Sequence, residues 1–188
     1  MAATIARRKP LVTAVAFLRK YADEPGVELV KGKIERDPMP QAEHGIVMLE
    51  AGVIFREHVK KRDLGWVMVA DTLIQTKTNP ASFRGADVAF LSYKRWPKKS
   101  GRPKGILEIP PELVVEVISP SDRWAKVLSK ISEYLEAGVR VVIVLDPETE
   151  SASIHRQDEL HQLCHNGDVV TLPDVLPGFS VPVKKFFE

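Results

Sequence analysis

The chain has 188 residues, of which 44% are hydrophobic and 28% are charged, and its formal net charge is +2. This length supports one well-buried core and excludes two full-sized domains, so residues 1–188 are predicted to form a single domain. A net charge this close to zero excludes a globally basic nucleic-acid binder, and any basic surface must be local. The single cysteine, Cys164, rules out an internal disulfide and is typical of a reducing cytoplasm.

The start of the chain has a basic segment and an apolar run between Ala6 and Arg19, which is weakly similar to a signal peptide. The run ends in Arg19-Lys20, and no small-residue cleavage site comes after it. No stretch approaches the roughly 18 apolar residues of a membrane span. The sequence therefore predicts a cytoplasmic protein that has no membrane partner.

Helices and short strands alternate in the N-terminal half. Thr13 is predicted to cap a short helix that ends before Pro25-Gly26. Residues 27–35 predict a hairpin that turns at Lys31-Gly32. Residues 41–61 predict a longer helix. Its buried face is expected to carry the apolar residues spaced three and four apart, which are Ile46, Leu49, Val53 and Ile54.

Three short strands are predicted next, at residues 66–70, 72–77 and 87–91, with Asp87 at the start of the third. The loop at 93–105 comes after them, and we expect it to lie near the site because it joins two acid-bearing strands. It offers Trp96 as a possible stacking surface. Its basic side chains are predicted to contact a nucleic-acid backbone, and they are Lys94, Arg95, Lys98, Lys99, Arg102 and Lys104.

Glu116 stands inside an apolar run, residues 111–120, which predicts a strand covered on both faces. An ionised side chain there is costly unless it is paired or binds a metal ion. Two interpretations remain open at this point. Glu116 either belongs to a functional site, or it faces water from an edge strand.

A helix is predicted from Ser119–Asp122 to Gly138, and an apolar strand at 139–146. The resulting strand-helix-strand unit predicts parallel pairing of its two strands. Lys130 falls at the edge of the helix's apolar stripe, from which a long side chain can reach along the sheet. The stripe is expected to contain Trp124, Val127, Leu128, Ile131, Tyr134 and Leu135. An antiparallel tail is predicted after residue 150.

Asp87, Glu116 and Lys130 form a possible catalytic set. A hard cation such as Mg²⁺ accepts one carboxylate from each of two neighbouring strands, together with water and a phosphate. A nearby lysine would stabilise charge on the phosphate, or position and deprotonate an attacking water. Each residue also has an ordinary interpretation, since Asp87 suits a turn and a helical lysine is normally solvated.

The sequence resembles the Uma2 family of endonucleases, a branch of the PD-(D/E)XK nuclease superfamily. The similarity extends over nearly the whole chain in the family's order. It is carried by the segments 28–35, 84–90, 111–123, 130–139, 145–147 and 176–179, together with His44.

This resemblance implies an α/β fold: a restriction-endonuclease-like core of helix, three strands, helix and strand, with a four-stranded mixed sheet. An N-terminal helix and hairpin and a C-terminal antiparallel extension complete it. Asp87 and Glu116 would be the metal-binding acids for Mg²⁺ or Mn²⁺. Ala86 replaces the family's usual proline, and Ile118 occupies the position of the superfamily lysine. The resemblance implies that Lys130, on the next helix, takes over that lysine's role.

Glu28 and His44 also match family positions, as an outer carboxylate of the site and a hydrogen-bonding helper, although a histidine near a helix start is often a surface group. The resulting hypothesis is a metal-dependent endonuclease acting on DNA, expected by analogy to be a homodimer. The alternative is a non-catalytic nucleic-acid binding or regulatory protein on the same scaffold, because a fold does not guarantee its chemistry.

Overall fold

The computed structural model describes residues 10–120 and 122–188. The basic start of the leader-like run, Ala6–Lys9, lies outside the described residues, as does Ser121 of the predicted helix start. No helix in the described ranges is both long enough and apolar enough to cross a membrane.

The described residues form three α-helices and ten β-strands. The helices are α1 (Ala14–Lys20), α2 (Ala42–Lys61) and α3 (Trp124–Glu136). The strands are β1 (Val27–Val30), β2 (Lys33–Arg36), β3 (Gly65–Thr78), β4 (Ala81–Ser92), β5 (Leu113–Val117), β6 (Val141–Asp146), β7 (Ser151–His155), β8 (Gln162–Cys164), β9 (Val169–Thr171) and β10 (Ser180–Pro182). Two short 3₁₀ turns lie at Lys98–Ser100 and Val183–Phe186.

Eight strands form one mixed sheet in the order β2-β1-β4-β5-β6-β7-β8, with β3 paired to β4. The β5–β6 pair is parallel and is connected through α3, which confirms the predicted strand-helix-strand unit. The other pairs in this sheet are antiparallel. The predicted four-stranded core is therefore part of a larger sheet. The predicted tail is divided, because β7 and β8 join this sheet while β9 pairs with β10 in a second one.

Strand β4 organises the sheet. It is twelve residues long, so the prediction that its strand starts at Asp87 is wrong, and Asp87 lies in its middle. Strand β3 occupies one edge of β4 from Ala81 to Ser92. On the other edge, β1 pairs at Phe83 and β5 pairs from Val88 to Phe90. A gap therefore opens between β1 and β5 alongside residues 84–87, and the candidate site lies there.

Helices α2 and α3 contribute to two separate apolar cores. The core of α2 includes Phe55, whose ring lies 4.9 Å from the ring of Phe179 near the C-terminus. The core of α3 includes Ile131 and Tyr134 together with Val114 of β5. Because Val115 and Val117 belong to the α2 core and Val114 to the α3 core, β5 alternates between the two.

The prediction of which face of α2 is buried is wrong. Ile46, Leu49 and Val53 are 55%, 59% and 42% exposed. The helix instead buries a parallel row with the same helical spacing, which consists of Val47, Ala51, Phe55 and Val59. Spacing alone does not distinguish two apolar rows on one helix, and the row that contains Phe55 is buried because the C-terminal aromatic residues pack against it.

The start of α3 also differs from the prediction. The helix begins at Trp124, and the carboxylate of Asp122 accepts a hydrogen bond from the Ser119 amide at 2.9 Å in the preceding turn. Trp124 and Leu128 are 54% and 53% exposed, so only the later part of the predicted stripe is covered. The α1 cap is confirmed, because the Thr13 hydroxyl accepts from the Ala16 amide.

Candidate active site

The base of the gap beside β4 holds two carboxylates. Asp87 of β4 and Glu116 of β5 are each 7% exposed, and both line a cavity of about 230 Å³. Strand β5 lies between β4 and β6, so Glu116 is not on an edge strand and the interpretation that it faces water there is wrong. Two buried acids from adjacent strands therefore share one cavity.

Lys130 of α3 reaches into the same place. Its Nζ lies 2.7 Å from Glu116 Oε2 and 3.3 Å from Glu28 Oε1, and its side chain is 15% exposed. Burial disfavours the charged form of Lys130, but the carboxylates of Glu116 and Glu28 outweigh burial and raise its pKa well above the ordinary value. Lys130 is thus held as a cation beside Glu116. Its side chain reaches along the sheet from the edge of the apolar stripe, as predicted.

His44, near the start of α2, contacts the other acid. Its Nε2 lies 3.3 Å from Asp87 Oδ2, and its side chain is 14% exposed, so it is not a surface group. The hydrogen bond with Asp87 raises the pKa of His44, although burial opposes that shift. Asp87 Oδ2 also accepts the amide of Val117 at 2.7 Å, which fixes this carboxylate across the end of β5.

Glu28 lies behind Lys130 and does not line the cavity. It is 3% exposed; its Oε2 accepts from Arg84 Nη1 at 2.8 Å and its Oε1 accepts from the Gly85 amide at 2.9 Å. Burial alone would raise the pKa of Glu28, but the charges of Lys130 and Arg84 lower it. The structure thus places Glu28 behind the site as a partner of these two cations, and its role as an outer carboxylate of the site stays a prediction.

Arg84 is a residue whose importance the sequence reasoning missed. It is 2% exposed and spans three elements, because its Nη1 binds Glu28 of β1 while its Nε and Nη2 bind both oxygens of Glu133 on α3 at 2.9 and 2.8 Å. The signal was present in the sequence. Arg84 is a charged residue in the mostly apolar strand that also carries Asp87. Like Glu116 in β5, a buried charge there is costly unless it has a partner.

Asp71 was missed as well, because Ala70-Asp71 was interpreted as a break between two strands. It is instead an irregularity within one strand, β3, where the φ angles of Ala70 and Asp71 are 64° and 54°. The bulge brings Asp71 close to Gly85 and onto the cavity rim. Partial burial and the negative charge of Asp87 raise the pKa of Asp71. A third acid therefore lies at the mouth of the cavity.

One oxygen at this site has no hydrogen-bond partner among the described residues. Glu116 Oε1 is buried and unpaired, whereas its Oε2 holds Lys130. Burial raises the pKa of Glu116 to about 8; Lys130 opposes this shift and the charge of Asp87 adds to it. A buried, unpaired carboxylate oxygen facing a second carboxylate is a suitable place for a cation.

The carboxylates of Asp87 and Glu116 suit Mg²⁺ or Mn²⁺ as a partial set of ligands. No group of three or more His, Cys, Asp or Glu side chains in the described ranges is arranged to enclose a metal ion. An ion held by Asp87 and Glu116 would complete its coordination with water and substrate oxygens. That is the usual binding mode of Mg²⁺ at phosphate-processing sites, where one or two carboxylates supply the protein ligands.

Comparison with known proteins assigns the chain to a family. The sequence matches the family model Uma2, described as "Putative restriction endonuclease", over residues 15–184. The chain belongs to the Uma2 family. A crystal structure of a "putative nuclease belonging to DUF820" from Anabaena variabilis ATCC 29413 has the same fold, with a TM-score of 0.83 and 22% identity over 94% of this chain and 97% of that one. No curated protein matches.

Family membership indicates a nuclease and confirms the predicted resemblance, and the shared fold confirms the predicted restriction-endonuclease-like fold. In this Uma2 chain, four of the predicted catalytic residues line the cavity, namely His44, Asp87, Glu116 and Lys130, while Glu28 contacts Lys130 from behind. The specific role of each residue stays a prediction.

The basic loop begins away from the cavity, contrary to the expectation. It leaves β4 after Ser92, five residues and therefore roughly 16 Å along the strand from Asp87. None of its residues lines the cavity. The chain then returns along β3, where the backbone of Leu107 bonds to Leu73 and Gln75.

Three residues of this loop also have structural partners. The Arg95 guanidinium donates to the carbonyls of Pro110, Pro111 and Gly138 and lies 3.3 Å from Glu112. Lys98 pairs with Asp63, and the Trp96 indole donates to the Gly101 carbonyl at 2.8 Å while packing against the α3 core. The four remaining basic residues are Lys94, Lys99, Arg102 and Lys104, and all are exposed.

Proposed function

We propose that this protein is a divalent-metal-dependent endonuclease that hydrolyses phosphodiester bonds, with DNA as its substrate. The observation that carries the proposal is the convergence of Asp87 and Glu116 on one cavity with the buried Glu116 Oε1 unpaired among the described residues. Membership of the Uma2 family supports the nuclease class. Mg²⁺ is the proposed ion, with Mn²⁺ as its substitute.

Each residue has a distinct part in this proposal. Asp87 and Glu116 hold the ion, which when bound acts as a Lewis acid toward a phosphate oxygen. The Lys130 ammonium, held beside Glu116, donates a hydrogen bond to the phosphate and stabilises negative charge as it develops there. Because its pKa is raised, Lys130 stays protonated and does not deprotonate the attacking water. His44 orients Asp87 through Oδ2, which leaves Oδ1 available for the ion.

A cleavage assay with isosteric variants tests this proposal. Asp87→Asn and Glu116→Gln keep the shape of each side chain but remove the charge that holds the ion, so each should lower the cleavage rate by at least about 100-fold. Lys130→Met should lower it by roughly 10- to 1000-fold, because one positioned donor is typically worth that much. Linearised and circular DNA are incubated with Mg²⁺, with Mn²⁺ or with EDTA, and the products are resolved on gels.

Matched controls separate the site from general charge effects. Asp63→Asn neutralises an exposed aspartate at the far end of α2, and Glu108→Gln neutralises an exposed glutamate outside the cavity. Both controls should cleave at the wild-type rate. Unchanged metal-dependent cleavage by Asp87→Asn or Glu116→Gln would refute the assignment. DNA binding that survives EDTA, with no cleavage under any condition, would favour the non-catalytic alternative.

We further propose that the protein is a cytoplasmic homodimer, with an apolar surface on α2 and β3 as the pairing face. The exposed apolar side chains of Ile46, Leu49 and Val53 on α2 and of Val69 on β3 support pairing. Sedimentation equilibrium measures the state directly, and a mass of one chain across micromolar concentrations would contradict the dimer. The buried, free thiol of Cys164 supports a reducing compartment.

A further inference from the structure

The cavity above the acids has apolar walls. Pro38, Met39 and Pro40 line one side, and Ile118 and Val127 line another. Met39 is 77% exposed, so its side chain is accessible to a substrate at the cavity. A purely electrostatic phosphate site needs no such surface. Its presence indicates that an apolar part of the substrate lies next to the reacting phosphate.

An ion pair bridges the cavity on the side of this wall. The Lys126 ammonium of α3 forms an ion pair with the Asp37 carboxylate, and both residues line the cavity. This bridge ties the segment that carries Met39 to the first turns of α3. The two acids, at 7% exposure, lie below it. A substrate strand must therefore enter a recess and cannot simply rest on an open face.

Little unpaired positive charge surrounds the cavity. Among the described residues, Lys126 and Lys130 are the only lysines or arginines that line it, and each is paired with a carboxylate. Binding a phosphate backbone through charge alone needs several basic side chains, for duplex and single strand alike. The site must therefore gain part of its affinity from its apolar walls.

Duplex and unpaired strands present different surfaces to such a site. In a duplex the bases are stacked inside and only their edges are accessible in the grooves. An unpaired base exposes its faces, on which aromatic side chains stack, and an apolar wall can shield such a face from water. A buried reaction centre is also reached more easily by an unstacked nucleotide than by one inside a duplex, as enzymes that draw a base into a pocket illustrate.

We propose that this site accepts an unpaired nucleotide strand, with the scissile phosphate at Asp87 and Glu116 and the neighbouring base against the Met39 wall. The substrate class is single-stranded DNA, including the unpaired arm of a flap or fork, in preference to intact duplex. This inference rests on the proposed nuclease function and specifies the substrate of the same site.

Binding and cleavage are measured on three labelled substrates of the same sequence: a single strand, its blunt duplex, and a duplex with an unpaired arm. Fluorescence anisotropy in Ca²⁺ or EDTA gives affinity, and gels in Mg²⁺ give the cleaved positions. The single strand and the unpaired arm should bind at least about tenfold more tightly than the blunt duplex. Cleavage should fall within or at the edge of unpaired segments.

Met39→Ala tests the wall itself. It should weaken single-strand binding about three- to tenfold and leave duplex binding unchanged. Leu160→Ala, at a 96% exposed position outside the cavity, should change neither affinity. Because Met39 is exposed, this variant is expected to fold normally, and circular dichroism verifies that.

The outcomes separate this inference from the proposed function. If the blunt duplex is cut as fast as the single strand and Glu116→Gln abolishes cleavage, the proposed substrate class is wrong and the proposed nuclease function is supported. Single-strand preference that depends on Met39, without cleavage in any metal, would keep the binding inference and remove the nuclease. Equal or no binding of all three substrates, or a Met39→Ala variant that binds like the wild type, would overturn the inference.

Discussion

Arg84 is the side chain that joins the elements around the site. It pairs with Glu28 of β1 and Glu133 of α3, and Glu28 in turn contacts Lys130. Glu133 is on the same helix as Lys130, and Arg84 is on the same strand as Asp87. The Arg84 contacts therefore fix where α3 lies relative to β4, which places Lys130 over Glu116.

Removing Arg84 should lower the free energy of unfolding. Arg84→Leu removes the guanidinium from buried Glu28, which keeps only Lys130 and the Gly85 amide, and from partly buried Glu133. Breaking a buried pair in this way typically costs about 3–5 kcal/mol. Urea denaturation monitored by circular dichroism measures the loss in the free energy of unfolding. The control is Arg36→Leu, which breaks an exposed pair with Glu24 and should cost about 0–1 kcal/mol. Equal losses in both variants would contradict a structural role for the buried cluster.

The buried acid at the site should make stability depend on pH. The folded-state pKa of Glu116 is raised to about 8, above its ordinary value of 4.5. Between these values the folded state holds a proton that the unfolded chain releases, so the free energy of unfolding falls as pH rises through this window. We expect a loss of roughly 1 to 2 kcal/mol between about pH 6 and pH 8 in metal-free buffer.

Thermal unfolding in EDTA across this range gives the slope. Glu116→Gln should reduce the slope and raise the melting temperature at the upper end of the range. A smaller slope should remain, because the raised pKa of His44 acts in the same direction. Glu108→Gln, at an exposed position, should behave like the wild type. A wild-type stability that rises with pH over this range, or a Glu116→Gln variant with an unchanged slope, would contradict burial of this carboxylate without a compensating ion.

At the scale of elements, helix α2 carries two glycines in different surroundings. A Cβ at Gly45 would meet nothing within 4 Å, whereas a Cβ at Gly52 would lie 2.8 Å from Val69 Cγ1. Gly45→Ala should therefore stabilise the protein by about 0.5–1 kcal/mol through helix propensity alone. Gly52→Ala gains the same propensity but forces Val69 on β3 to move, so it should be less stable than Gly45→Ala.

Chemical denaturation of the two variants side by side tests this difference. The matched pair isolates the contact between α2 and β3, because both substitutions add the same methyl group to the same helix. If Gly52→Ala proved as stabilising as Gly45→Ala, the close approach of β3 to this helix would be refuted.

Local patterns predicted the elements well where a single interpretation was available. The strand-helix-strand unit, the Thr13 cap and the reach of Lys130 from α3 all result from spacing and helix geometry. Spacing did not predict which face of α2 is buried, because two apolar rows on this helix share the same period. Only the long-range contacts of Phe55 with Phe179 and Phe186 determine that its row is the buried one.

The site was predictable in its central residues but not in its supporting ones. Glu116 was identified because a carboxylate in an apolar strand needs a partner. Arg84 gave the same signal and was passed over. Asp71 reaches the cavity only through a bulge in β3, and the position of the basic loop depends on strand direction. Both depend on tertiary geometry that no local pattern encodes.

At the scale of the whole molecule, the exposed basic residues of the 93–105 loop and the candidate catalytic acids occupy different surfaces. None of these loop residues lines the cavity, which combines carboxylates, two paired lysines and an apolar wall. The loop can contribute to nucleic-acid affinity only if the strand extends along the sheet or a second copy brings another loop nearby. Its contact with the nucleic-acid backbone stays a prediction.

The central claim is that Asp87 and Glu116 together bind a divalent ion beside Lys130. Anomalous diffraction from a crystal soaked in Mn²⁺ tests it most directly, because the signal locates the ion without assumptions about activity. We predict a peak within coordination distance of both carboxylates, with the Lys130 ammonium a few ångströms away, and no such peak in Glu116→Gln. A peak only elsewhere, or none at saturating Mn²⁺, would contradict the claim.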